Sequence, residues 1–141
     1  MADGGSRPTV VVANPDATVC EVLARIVEAA GNEAVRVTDA SQVNGAVVSA
    51  PAEAVVLDLA ADTVEHLRGL RAGDHPRAAE VRAVAISTGP ANALLAWQAG
   101  ADAVLTRPFR STELQEAIAA TVARSAEERA AERAQQLLAL S

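Results

Sequence analysis

Lysine and tyrosine are missing from this 141-residue chain, and it holds only one tryptophan, one phenylalanine and one cysteine. With so few rings, a core has to be built from Val, Leu, Ile and abundant Ala, small side chains that let helices sit close on a sheet. The single cysteine, Cys20, excludes an internal disulfide, and no Cys/His cluster has the spacing of a zinc site. A reducing, cytoplasmic setting is therefore expected, with Cys20 as a small buried filler. No stretch reaches the ~18 apolar residues that cross a bilayer, and the opening Met1 to Arg7 has no apolar run of a signal peptide. Direct membrane insertion is thus not expected, although docking at the periphery of a membrane complex is compatible with the composition. Positive charge is scarce too: twelve Arg against eighteen acids leave a net charge of −6. Nucleic-acid affinity rests on clustered cations facing phosphates, so a nucleic-acid partner is not expected.

What is present is an alternation. One domain of this length buries roughly 68–70% of the surface of its unfolded chain, enough for one core. TVVVA (9–13), AVRV (34–37), AVVL (54–57), AVAIS (83–87) and AVL (103–105) read as strands, apolar enough to be covered on both faces. Helices are expected over 16–30, where Val19, Val22, Leu23, Ile26 and Val27 repeat at helical spacing, and over 40–49, 64–71, 91–99 and from Ser111 onward. Gly73, Asp74, His75 and Pro76 mark a polar loop. Strict β/α alternation with buried strands implies a five-stranded parallel sheet in an α/β three-layer (βα)5 sandwich of the flavodoxin-like kind, with chemistry at the carboxyl ends of the strands.

Residues 1–7 (MADGGSR) read as a flexible leader, 8–125 as the domain and 126–141 as a helical extension. The last helix is expected to run on through Ala126 to Leu140, with Val122, Ala126, Ala130, Ala134, Leu137 and Leu138 as a narrow apolar stripe flanked by Glu127, Glu128, Arg129, Glu132 and Arg133. Such a stripe suits either a solvated tail or a helix that docks or dimerises. His66 and His75 are isolated and are expected to be surface residues.

The strand ends bring Asn14-Pro15-Asp16, Asp58, Ser87-Thr88 and Arg107-Pro108 toward one rim. Here the chain resembles the receiver domains of response regulators over about residues 8–125, through VVLDL with Asp58, ISTG with Thr88, and GADAVLTRPF (100–109). The resemblance implies that Asp58 matches the aspartate that accepts a phosphoryl group from a histidine kinase and Thr88 the residue that contacts that phosphate. Arg107 then stands where the family has a lysine, and Pro108 follows a cis peptide. It also implies a magnesium ion held by an acidic pair after the first strand. A carboxylate attacks a phosphoryl dianion slowly unless cations neutralise the phosphate oxygens.

The departures fall on those parts. The acidic pair is replaced by Asn14 and Pro15, Asp16 comes one residue too late, and only Asp58, the Ala60 carbonyl and the Asn14 amide remain as metal ligands, so a weak Mg2+ site or none is expected. Arg107 can pair bidentately with a carboxylate, so an Arg107–Asp58 ion pair can fill the phosphate's place. The family's switch aromatic becomes Val104, and the segment after Asp58 is about three residues shorter. Each residue also has a plainer reading: Asp58 as a loop or capping carboxylate, Thr88 as a helix cap, Trp97 as core packing in place of a partner face.

The expected function is that of an atypical single-domain response regulator, or pseudo-receiver, with no enzymatic activity and no cofactor, that binds a protein independently of phosphorylation. Its small form, its all-arginine cations and its lost acids are similar to orphan actinobacterial response regulators, some of which attach to large assemblies such as the respiratory NADH:quinone oxidoreductase. One alternative is a phosphorelay domain using Asp58 and a histidine kinase. Another is a cobalamin- or nucleotide-binding module, for which the sequence lacks an Asp-x-His-x-x-Gly run and a glycine-rich phosphate loop.

Overall fold

Five β-branched or alanine-rich runs form the strands β1 (Thr9–Ala13), β2 (Glu33–Val37), β3 (Ala54–Leu57), β4 (Arg82–Ser87) and β5 (Ala103–Thr106) of one parallel sheet, ordered β2-β1-β3-β4-β5. They belong to a computed structural model that describes residues 7–140. The first six residues of the expected leader, and Ser141, lie outside the described residues. Between the strands run helices α1 (Ala17–Ala29), α2 (Val43–Ser49), α3 (Thr63–Arg71), α4 (Pro76–Glu80), α5 (Pro90–Gln98), α6 (Ser111–Ala123) and α7 (Ala126–Leu140), with short 3-10 turns at Ala40–Gln42 and Ala60–Asp62. This is the α/β three-layer sandwich that the alternation predicts.

Because successive strand residues point to opposite faces, the two halves of the core separate by parity. Val11, Ala13, Val55, Leu57, Ala83 and Ala85 pack beneath α2, α3 and α5 with Val43, Val47, Leu67, Leu70 and Ala96. Val10, Val12, Val56, Val84 and Ile86 pack beneath α1 and α6 with Cys20, Leu23, Val27, Leu114 and Ile118. Each fully buried Leu or Ile contributes about 1.5–3 kcal/mol of transfer free energy, so an aliphatic core holds the sheet without aromatics.

Two expectations need correction. The polar loop marked by Gly73, Asp74, His75 and Pro76 leads not directly to β4 but into α4, which starts because Pro76 sits in its first turn and the His75 ring nitrogen Nδ1 accepts the Arg77 N–H at 3.2 Å. His75 is exposed, as expected of a surface residue, and also serves as a cap. The last helix does not run on: Arg124 is extended, and Ser125 and Glu128 form a reciprocal cap, with Glu128 accepting the Ser125 N–H at 2.8 Å and Ser125 Oγ accepting the Glu128 N–H at 3.1 Å. This S-x-x-E box opens a new helix. Along the extension, the apolar stripe stays largely on the surface. Ala126, Ala130, Ala134 and Leu138 are exposed, whereas Arg129, Glu132, Arg133, Gln136 and Leu137 are half-buried. The extension is not solvated all round: α7 lies against α5 and is anchored by arginines.

Candidate functional site

Parallel register aligns the strand ends. Ala13 pairs with Val37 on one side and Leu57 on the other, Leu57 with Ala85, and Ser87 with Thr106. The next residues of β1, β3 and β5, namely Asn14, Asp58 and Arg107, therefore meet at the rim beside β1 and β3, where the strand order reverses and open α/β sheets place their sites.

Asp58 is buried, with its backbone N–H on the Ala13 carbonyl at 3.0 Å. Its carboxylate accepts the Arg107 fork, Nη1 on Oδ1 at 2.7 Å and Nη2 on Oδ2, and Oδ2 also accepts Asn14 Nδ2 at 2.6 Å. Two parallel N–H···O bonds between a guanidinium and a carboxylate are the strong, directional form of an ion pair. Arg107 is held protonated, its pKa raised by the hydrogen bond to Asp58 against a smaller opposing effect of burial. Its guanidinium carbon also lies 5.7 Å from the centroid of Phe109, within cation–π range. The Arg107–Pro108 peptide is cis.

These donors do not fit a divalent cation. Asn14 Oδ1 accepts the Asp16 N–H at 2.7 Å, which turns the amide nitrogen, and not its oxygen, toward Asp58. Asp16 caps α1, accepting from the Thr18 and Val19 N–H groups at 2.8 and 3.1 Å. With both Asp58 oxygens on nitrogen donors, the Ala60 carbonyl is the remaining candidate ligand, and it belongs to a residue in the left-handed region, at φ 54°. No group of three or more His, Cys, Asp or Glu side chains among the described residues could hold a metal. Magnesium requires several oxygen ligands in near-octahedral array, and this rim offers nitrogens.

Thr88 is exposed after β4, and its hydroxyl accepts Asn92 Nδ2 at 2.6 Å; Gly89 occupies the cap position of α5. Thr88 therefore neither caps the helix nor contacts Asp58. Val104 is half-buried against the core beneath α5. Trp97, read as either core or partner face, is 6% exposed, which leaves little of the ring for a partner. Beside Arg107 opens an apolar groove of about 550 Å³ between α1 and the β5–α6 loop, lined by Val19, Val22, Leu23, Ile26, Pro108 and Phe109, with Val22 54% exposed.

Several solved structures with this architecture are named as response regulators or receiver domains. The Francisella response regulator 1452 receiver domain superposes with a TM-score of 0.71 at 19% identity, over 82% of this chain and 97% of that one. A signal receiver domain from Bermanella marisrubri gives 0.73 at 15%, over 83% and 99%. A chemotaxis response regulator of Vibrio cholerae gives 0.69 at 13%, over 82% and 99%. The fold is that of a receiver domain. No family model and no curated protein matches the chain by sequence.

A second constellation of this receiver fold lies at the opposite end of β5 and escaped the sequence reading. Asp102, its side chain 1% exposed, accepts hydrogen bonds from three guanidiniums. Arg129 contributes Nε to Oδ1 at 2.7 Å and Nη2 to Oδ2 at 3.0 Å, Arg133 Nη2 reaches Oδ1 at 3.2 Å, and Arg71 Nη2 reaches Oδ2 at 3.0 Å. Oδ2 also accepts the Ala83 N–H at 2.9 Å. Arg71 extends further, to the carbonyls of Ala79, Val81 and Gly100 at 3.1, 2.6 and 2.8 Å. Gly100 is required there: its φ is +107°, and a Cβ would lie 2.9 Å from Arg71 Nε. Burial, together with Arg129 and Arg133, draws the Arg71 pKa down to about 10 against the opposing effect of Asp102, which still leaves it charged at neutral pH. The available signal was Arg129 and Arg133 at i, i+4, one helical face.

Proposed function

We propose that this receiver fold works as a protein-binding module, without phosphoryl transfer to Asp58 and without a metal. The observation that carries the reading is the Arg107 fork on Asp58, completed by Asn14. A carboxylate that attacks a phosphoryl group needs a free oxygen lone pair and cations placed on the phosphate oxygens. Here the local cation faces the carboxylate itself, in the space a phosphate would take. The neighbouring groove, with Val22 and Ile26 of α1 beside Pro108 and Phe109, suits an apolar segment of a protein partner.

The test is mass measurement of the intact protein after incubation with acetyl phosphate and Mg2+. The expected result is no added phosphate. A rapid gain of one phosphate that disappears in Asp58→Asn overturns the reading in favour of a phosphorelay domain. The triple change Asn14→Asp, Pro15→Asp and Arg107→Lys returns both carboxylates and a single-point cation to the rim, and is expected to bring back Asp58-dependent phosphorylation.

A further inference from the structure

The Asp102 cluster carries more positive charge than it neutralises. Three guanidiniums meet one carboxylate, and they line an open groove of about 240 Å³ between α3, α4 and α7, together with Ala79, Glu80, Ala126 and Ala130. Glu80 is exposed and within 4 Å of no arginine among the described residues, so the groove stays cationic even with that carboxylate counted. Every N–H of Arg71 is engaged. By contrast, the Nη1 groups of Arg129 and Arg133 have no hydrogen-bond partner among the described residues, although these side chains are only 13% and 28% exposed. Planar donor pairs beside uncompensated charge are the arrangement that takes oxyanions bidentately.

We propose that this groove is an oxyanion site for a phosphate-class ligand, free or esterified, and that its occupancy fastens α7 to the domain. Binding supplies the negative charge that Asp102 alone does not, and it relieves the repulsion among three neighbouring guanidiniums. The effect falls on α7 because two of the three arginines belong to it, while none of its residues is buried. The helix is held by polar contacts, and an anion placed among them strengthens its hold. The site lies at the far end of β5 from Asp58, so it is separable from the first reading.

The experiment uses the full chain at constant ionic strength in chloride. Inorganic phosphate and then AMP are titrated while amide exchange is followed across 126–140. At a ligand concentration 100 times Kd, exchange through release of α7 is expected to slow by about 100-fold. Protection by phosphate points to a free anion and protection by AMP alone to an ester; either supports the site. The response should persist in Asp58→Asn and be lost in Arg133→Gln. Glu80→Gln, which leaves the arginine clamp whole, should raise the affinity. Absence of protection by both ligands, an equal response in Arg133→Gln, or an unchanged affinity in Glu80→Gln overturns the proposal.

Discussion

The two ends of β5 place a buried aspartate against arginine in opposite proportions. At the carboxyl end, Asp58 meets one guanidinium and one amide, and Arg107 is 45% exposed on its outer side. At the amino end, Asp102 meets three guanidiniums that are 13–28% exposed. The first is balanced, open to water on the cation side, and uses local neighbours of the rim. The second is unbalanced and draws residues from α3, the loop before β5 and α7 into one contact. Removing a charge from each end should therefore have unequal consequences. An ion pair with a solvated partner contributes little, whereas stripping a buried anion from several shielded cations leaves charge that water cannot reach.

The largest expected effect follows from that difference. Asp102→Ala should cost about 3–5 kcal/mol of unfolding free energy, and Asp58→Ala about 1–2 kcal/mol, chiefly from the Asn14 amide left without its partner, both read from urea melts. Equal losses would break the comparison. A smaller effect is expected from Ser125→Ala, which removes the Ser125 oxygen from the N-terminus of α7. It should cost about 1 kcal/mol, confined to faster amide exchange over 126–140, with Asp58 and its rim unchanged. A loss spread evenly over the sheet would show α7 to be part of the core.

The smallest effect concerns acid. Glu21 is drawn down to about 2 by its hydrogen bonds to Arg36 and Arg25, and Glu128 is lowered by the Ser125 N–H. Both carboxyls have folded pKa values below their ordinary ones, so their contribution is fully present above about 4.5 and is lost as the pH falls below it, for Glu21 toward 2. A small decline in thermal midpoint over that window is expected, and Glu21→Gln should flatten it.

Much of the architecture was legible because it is local or periodic. AVVL before Asp58 and VVVA before Asn14 are strands by composition, α1 is a helix by its 3.6-residue spacing, and the alternation of the two types dictates a parallel sheet. From that order alone, the segments holding Asn14, Asp58 and Arg107 fall at one rim. The break at Arg124 was also written in the chain, as Ser125-x-x-Glu128, but a continuous run of helix formers masked it. The short α4 was hidden because Pro76 reads equally as a turn and as the first residue of a helix.

Sequence by itself therefore determined the alternation, the aliphatic core with alternating faces, and the presence of Asn14 and Pro15, neither of them a carboxylate, directly after β1. Only the tertiary structure decided which way the Asn14 amide faces, that Thr88 turns to Asn92, and that Arg71, Arg129 and Arg133 share one carboxylate. The physical reason is that side-chain ends are set by packing, not by periodicity. Periodicity reports neighbours within a turn or a strand, whereas the Asp102 contacts join residues 27 to 31 positions apart through long, freely rotating side chains, and the packed chain alone fixes where those side chains end.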